Sequence, residues 1–280
     1  MPEPERPARP TMPPRPLHTV ARIGPFFAVR TDPPGPAGLR AEGYVPLAEV
    51  YVAGPPAADR LAVAPPALRH RYTTVARRLG TDELRVAASL GFQGLAGRLW
   101  SLAVGCAALT GRVPDLDPRR LWWHPEHSAP RELWLPDADA TPDPVDPTPV
   151  ADLAERVRAT VIDQHLAPLH RVAAATSGLS GALLWGNAGS ALAGALGVLH
   201  GWLHAPARPG DGVRAEDREA ATVRARALAR DLFAAEPLRS TGHWSPGPRP
   251  AFRRGTCCLY YRVPGGGLCG DCVLPRVPGR

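Results

Sequence analysis

The chain has 280 residues, 44% of them apolar, ordinary for a globular protein and enough to bury a sizeable core in one large domain or two small ones. Its 33 basic residues are all arginine and give a net charge of +7, but they are scattered, with no run marking a nucleic-acid groove, so solvated surface charge explains them. Met1–Pro16 carries no apolar stretch after a basic start, so no secretory signal is read and the expected compartment is the cytoplasm, where thiols stay reduced.

Residues 1–40 are proline-rich and expected to be largely disordered, apart from a short strand at Ile23–Val29. Tyr44–Val52 suggests a second short strand, ended by Gly54-Pro55-Pro56. Helical pattern begins near Ala67 and resumes at Thr81, read as an N-cap with Asp82 and Glu83 in the first turn. From there Leu84, Ala87, Ala88, Leu95, Leu99, Leu102 and Cys106 recur at helical spacing. The aromatic runs Leu121-Trp122-Trp123 and Glu132-Leu133-Trp134-Leu135, with Pro125 and Pro130 between them, predict an irregular β-hairpin.

Residues 137–149 read as a linker. Thr148-Pro149 then starts a helix, as N-cap and N1 proline, with Val150, Leu153, Val157, Val161 and Ile162 as its buried stripe. Further helices are predicted over Ser180–Leu203 and Ala215–Ala235, the second opened by Glu216, Asp217 and Glu219. Gly181–Leu203 lacks Asp, Glu, Lys and Arg over 23 residues, long enough to cross a bilayer. Its Gly and Ala content, with Asn187, Ser190 and His200, favours a buried helix instead. Ser240–Pro250 reads as a Gly/Pro linker. The expected fold class is α+β, predominantly α-helical, with a few short strands: a body over 41–245 and a loop-bound C-terminal segment over 246–280.

Four of the five cysteines lie in that segment, as Cys257, Cys258, Cys269 and Cys272, in the pattern Cys-Cys-x10-Cys-x2-Cys. Cys106, in an apolar helical stretch, reads as a small buried hydrophobe. In a reducing compartment the cluster of thiols reads as metal binding before it reads as disulfide. Four thiolates match an all-cysteine [2Fe-2S] or [4Fe-4S] cluster and equally a structural zinc site. Zinc ribbons and fingers pair two C-x2-4-C knuckles around one ion. Here only Cys269-Gly-Asp-Cys272 forms such a knuckle. The adjacent Cys257 and Cys258 diverge in an extended chain, which suits a cluster with separated coordination points better than a single ion. Pro264-Gly265-Gly266-Gly267 lets backbone amides approach either kind of centre.

The segment Phe252–Leu274, with Arg253-Arg254, the double cysteine, Tyr261-Arg262 and Cys269-Gly270-Asp271-Cys272, resembles the C-terminal signature of the FhuF-type ferric-siderophore reductases. A weaker similarity runs through His165-Leu166-x-Pro168-Leu169 and Leu184-Trp185-Gly186-Asn187. The resemblance implies a [2Fe-2S] cluster on Cys257, Cys258, Cys269 and Cys272, and one-electron reduction of Fe(III) to Fe(II), which releases iron from a siderophore in the cytoplasm. The protein would sit at most peripherally at the inner face of the cell membrane. No nucleophile, metalloprotease, Walker or dinucleotide motif is present, so the electron is expected from a protein donor: a ferredoxin, flavodoxin or flavin reductase. An iron–sulfur sensor or electron carrier without siderophore substrate, and a zinc-binding interaction module, are the alternatives.

Arg253, Arg254 and Arg262 lie beside the cysteines, where they would attract an acidic donor or an anionic ferric chelate, or else balance cluster charge. Trp185 and Asn187 are the remaining candidate contacts. An Asn inside an apolar helix needs a hydrogen-bond partner, from the protein or from a ligand. His200 and His204 are spaced i, i+4 without a third ligand nearby and read as structural, as do His165, His170, His124 and His127. Trp122, Trp123 and Trp134 read as core.

Overall fold

The computed structural model describes residues 16–32, 35–55, 58–136, 148–206, 214–247 and 250–278. Nine α-helices occur among them: α1 (Pro16–Ala21), α2 (Pro36–Ala41), α3 (Leu47–Val50), α4 (Pro66–Leu79), α5 (Leu84–Thr110), α6 (Val150–Arg158), α7 (Ala167–Ser177), α8 (Gly181–His204) and α9 (Ala215–Ala234). Five short strands accompany them: β1 (Val45–Pro46), β2 (Trp122–Trp123), β3 (Leu133–Trp134), β4 (Gly242–Ser245) and β5 (Ala251–Arg254). The fold is predominantly helical α+β.

Helix α5 buries residues around nearly its whole circumference, as a helix apolar on all sides must. It packs most extensively on α8, then on α9 and α4. Ser180 caps α8, its Oγ accepting from the Leu183 amide at 3.3 Å. Helix α8 is long and apolar enough to cross a membrane, and 67% of its most apolar window is buried inside the protein. Helices α6 and α7 are joined by a π-helical segment, Ala159–Leu166. Within it the Tyr51 hydroxyl donates to His165 Nδ1 at 2.7 Å, and Nε2 donates to the Leu116 carbonyl at 2.7 Å.

The predicted Trp hairpin is present. Strands β1, β2 and β3 form an antiparallel sheet, with Val45 opposite Trp123, Trp122 opposite Trp134 and Trp123 opposite Leu133. Beneath it Glu132 accepts from Arg71 Nη2 at 2.8 Å and from Trp123 Nε1 at 3.1 Å.

Several expectations are corrected. The described part of the proline-rich start is folded: Pro25–Phe27 form a 3-10 turn in place of the strand at Ile23–Val29, and Val20 and Phe27 are core residues. The buried Arg98 holds this turn by donating to the carbonyls of Pro25, Phe26 and Ala28. The strand expected over Tyr44–Val52 is reduced to β1, followed by α3. Helix α5 starts at Leu84, with Glu83 in the cap position and Thr81 Oγ1 accepting from the Glu83 amide instead. Pro149, not Thr148, is the cap of α6, and Val150 is 42% exposed. The expected Ser240–Pro250 linker contains β4, which pairs with β5. Residues 137–147 of the other linker lie outside the described residues, as do residues 1–15.

Candidate redox site

The β4–β5 hairpin delivers the cysteine segment to α8. Its register sets Gly242 opposite Arg254 and Trp244 opposite Phe252. Beyond β5 the Gly255 amide donates to the Thr241 carbonyl at 2.8 Å. Thr256 sits against Gly186 of α8, where a Cβ on the glycine would overlap its hydroxyl.

The chain turns sharply after the adjacent cysteines. Leu259 adopts a left-handed φ of 68°, a conformation unfavourable for a non-glycine residue. A 3-10 turn follows over Tyr260–Arg262. Gly266 then passes so close to Tyr260 that a Cβ would stand 2.6 Å from the tyrosine carbonyl oxygen, so the glycine run allows the loop to fold back. At its end the Cys272 amide donates to the Cys269 carbonyl at 3.1 Å, closing the knuckle.

This folding sets Cys258 Sγ and Cys269 Sγ 3.6 Å apart, near the separation of about 3.8 Å that two thiolates take on one tetrahedral metal with bonds of about 2.3 Å. The Leu259 amide points at Cys257 Sγ (3.3 Å) and the Leu274 amide at Cys272 Sγ (3.4 Å). Such amide–sulfur bonds are one lever on a cluster's potential. Burial pushes the Cys257 thiol up, while the Arg254 guanidinium works the other way. Burial and the neighbouring Cys258 push the Cys269 thiol up as well. Bare thiolates at Cys257 and Cys269 are therefore disfavoured, a cost that metal coordination would offset. Among the described residues no three His, Cys, Asp or Glu side chains are grouped to hold one metal ion.

The flanking candidates divide. Arg253 is exposed. Arg262 is half-exposed and pairs with Glu83 at 2.8 Å, tying the loop to the start of α5. Trp185 is half-buried and stacks on His170, ring centroids 4.9 Å apart. Arg254 and Asn187, expected as substrate or donor contacts, are corrected: both are buried, and Arg254 Nη2 donates to Asn187 Oδ1 at 2.7 Å. Asn187 Nδ2 in turn donates to the Ser89 carbonyl and Oγ, each at 2.9 Å, and Ser89 Oγ donates to the Cys258 carbonyl at 2.7 Å. Ser89 escaped notice in the sequence because it is one small polar residue on an apolar helix.

A cleft of about 980 Å³ opens beside Cys258 and Cys269, between α5, α8 and the loop. Gly94, Gly97, Ala191 and Gly194 form its floor, and Asp271 is the one charged residue among the described residues lining it. Phe26 (47% exposed) and Val198 (51%) stand at its rim. Gln93 Nε2 donates to Ser190 Oγ at 3.0 Å, while its buried Oε1 has no partner. A pair of polar residues facing each other from two small-residue helices was the only trace of this cleft in the sequence.

A four-cysteine loop clamped against a helical body, beside an open cleft, offers thiolates for a metal centre. The chain belongs to the family described as ferric iron reductase FhuF-like transporter, whose model matches residues 92–239, just over half of its length. The FhuF 2Fe-2S C-terminal domain matches residues 254–274, which include all four cysteines. No match is found among curated proteins. The protein is thus an iron–sulfur oxidoreductase of the ferric-reductase type, with a [2Fe-2S] cluster as its cofactor.

Proposed function

We propose that the chain reduces ferric siderophores in the cytoplasm, with Cys257, Cys258, Cys269 and Cys272 as the cluster ligands and the cleft beside Cys258 and Cys269 as the chelate site. The observation that carries this reading is that cleft: its lining includes two of the four thiols, so a bound chelate lies next to the electron source. The cluster, when bound, supplies one electron at a time. Fe(III) is hard and held tightly by siderophore oxygens, Fe(II) far less so, and a single electron releases the metal without breaking the ligand.

The chain's own residues bind and orient the chelate. Small residues on α5 and α8 leave room for a bulky ligand, and Phe26 and Val198 offer it apolar surface. The described lining has no cation and one carboxylate, Asp271. An uncharged ferric trishydroxamate suits this largely apolar described lining. The exposed Arg253 suits an acidic protein donor through charge attraction. A cytoplasmic location is proposed, with at most peripheral attachment to the inner membrane face.

Stopped-flow mixing of dithionite-reduced protein with a ferric trishydroxamate tests this. Reoxidation should far outpace that with the redox-inert gallium chelate, and a ferrous-specific trap should collect the released iron. Equal rates with both chelates would leave an electron carrier that touches no siderophore.

A further inference from the structure

We propose that Arg254 sets the reduction potential of the cluster, as a fixed buried cation that Asn187 positions. The inference rests on the assignment of the four cysteines as ligands. The Arg254 side chain is fully shielded from water, and Asp271, which stands between Cys269 and Cys272, is 19% exposed. The two are joined through the backbone, the Arg254 amide donating to the Asp271 carbonyl at 3.1 Å. Their side chains approach only to 3.6 Å, Nε to Oδ2, beyond hydrogen-bond reach.

The guanidinium is short of partners. Nη2 is used by Asn187, whereas Nε and Nη1 are buried without a hydrogen bond. Asp271 supplies one carboxylate at ion-pair distance, but the unsatisfied N–H groups of the buried guanidinium still favour a further anion beside it. Four thiolates around two irons and two sulfides carry net negative charge, which grows by one unit on reduction. A cation fixed nearby in a low-dielectric interior favours the more negative, reduced form and so raises the potential.

Asn187 fixes where that cation sits. Its Nδ2 is spent on Ser89, so only Oδ1 is left to accept from Arg254. Ser89 Oγ, one bond further along, donates to the carbonyl of Cys258. Three hydrogen bonds therefore run from a proposed ligand, through α5 and α8, to the guanidinium. Asn187 and Ser89 are positioning residues that act through Arg254.

Potentiometric EPR titration of the anaerobically prepared full-length chain tests the assignment. Arg254→Gln should keep iron and sulfide content while its reduction equilibrium falls at least tenfold, a shift of 59 mV for a one-electron couple. Arg254→Lys, which keeps the charge, should recover most of the loss, and Arg253→Gln, on the exposed neighbour, should leave the potential in place. A role confined to packing would make Arg254→Lys behave like Arg254→Gln, and that result overturns the proposal. So does a wild-type potential in Arg254→Gln. Should Arg254→Gln fail to fold, Asn187→Asp decides: an acid against the guanidinium cancels its field and should lower the potential, and an unchanged value overturns the proposal. Absence of any two-iron signal in the parent protein would overturn the ligand assignment itself, and this inference with it.

Discussion

Gly189 of α8 and Thr241 at the foot of β4 pack so closely that a methyl group on the glycine would overlap Thr241 Oγ1 and stand 3.1 Å from its Cβ. Thr241 cannot easily retreat: it is buried, and its hydroxyl donates to the Leu238 carbonyl at 2.7 Å. Its own carbonyl accepts from Gly255, two residues before Cys257. The contact therefore fixes the height at which the cysteine loop meets the helical body.

Gly189→Ala should destabilise the protein by roughly 1–2 kcal/mol, the overpacking cost less the gain from removing a helical glycine. It should also lower iron content, because the displaced hairpin carries the loop. Gly197→Ala, where an added Cβ meets nothing within 4 Å, should stabilise by up to about 1 kcal/mol. Chemical denaturation with iron analysis separates the two.

Glu132 is a second structural fulcrum. It is buried between Arg71, at 2.8 Å, and Arg98, at 3.7 Å. Glu132→Gln leaves two buried guanidinium groups without their carboxylate and should cost about 3–5 kcal/mol. The urea midpoint should drop accordingly, with no change in the absorption spectrum of the protein that remains folded.

His165 gives a pH dependence. Burial holds its imidazole down, to about 4 from an ordinary 6.5. The unfolded chain thus binds a proton that the folded protein refuses between those values, and stability falls as pH drops through that window. The loss by the low end is at most about 3 kcal/mol. His165→Gln should flatten the dependence, read as the difference in urea midpoint between neutral pH and pH 5.

The cleft can be tested without touching the cysteines. Gly194 lines it, and nothing stands within 4 Å of a Cβ built there, so Gly194→Trp should fit the fold and fill the floor. Reoxidation by a ferric trishydroxamate should slow at least tenfold while the EPR signal keeps its shape. Wild-type rates would move the chelate elsewhere on the surface.

What the sequence made legible depended on local signals. Helix α8 announces itself through Ser180 and the run that follows, and the Trp hairpin through two aromatic segments bracketing prolines. Proline content hid the start of the chain, where Val20 and Phe27 are held against α5 at Gly105, a position where a Cβ would stand 2.7 Å from Val20 Cγ1. The β4–β5 hairpin was lost in Gly242, Pro246, Gly247 and Pro250, since four-residue strands offer little alternation to read.

Within the site, the cysteine spacing favoured a cluster over zinc, and the resemblance of the flanking residues to a known family supplied the rest. Arg254 did not reveal its burial, because that depends on Asn187, 67 residues away in sequence. A charge beside a cysteine motif reads as solvent-facing unless its long-range partner is known.

The central claim is most directly tested by EPR of dithionite-reduced protein, with iron and sulfide counted for the parent and for serine variants. The parent should hold two irons and two sulfides per chain and give a single half-integer-spin signal on reduction. Serine at Cys257, Cys258, Cys269 or Cys272 should abolish or reshape that signal, and Cys106→Ser, remote in α5, should preserve it. A colourless parent carrying stoichiometric zinc, with no signal on reduction, would contradict the account.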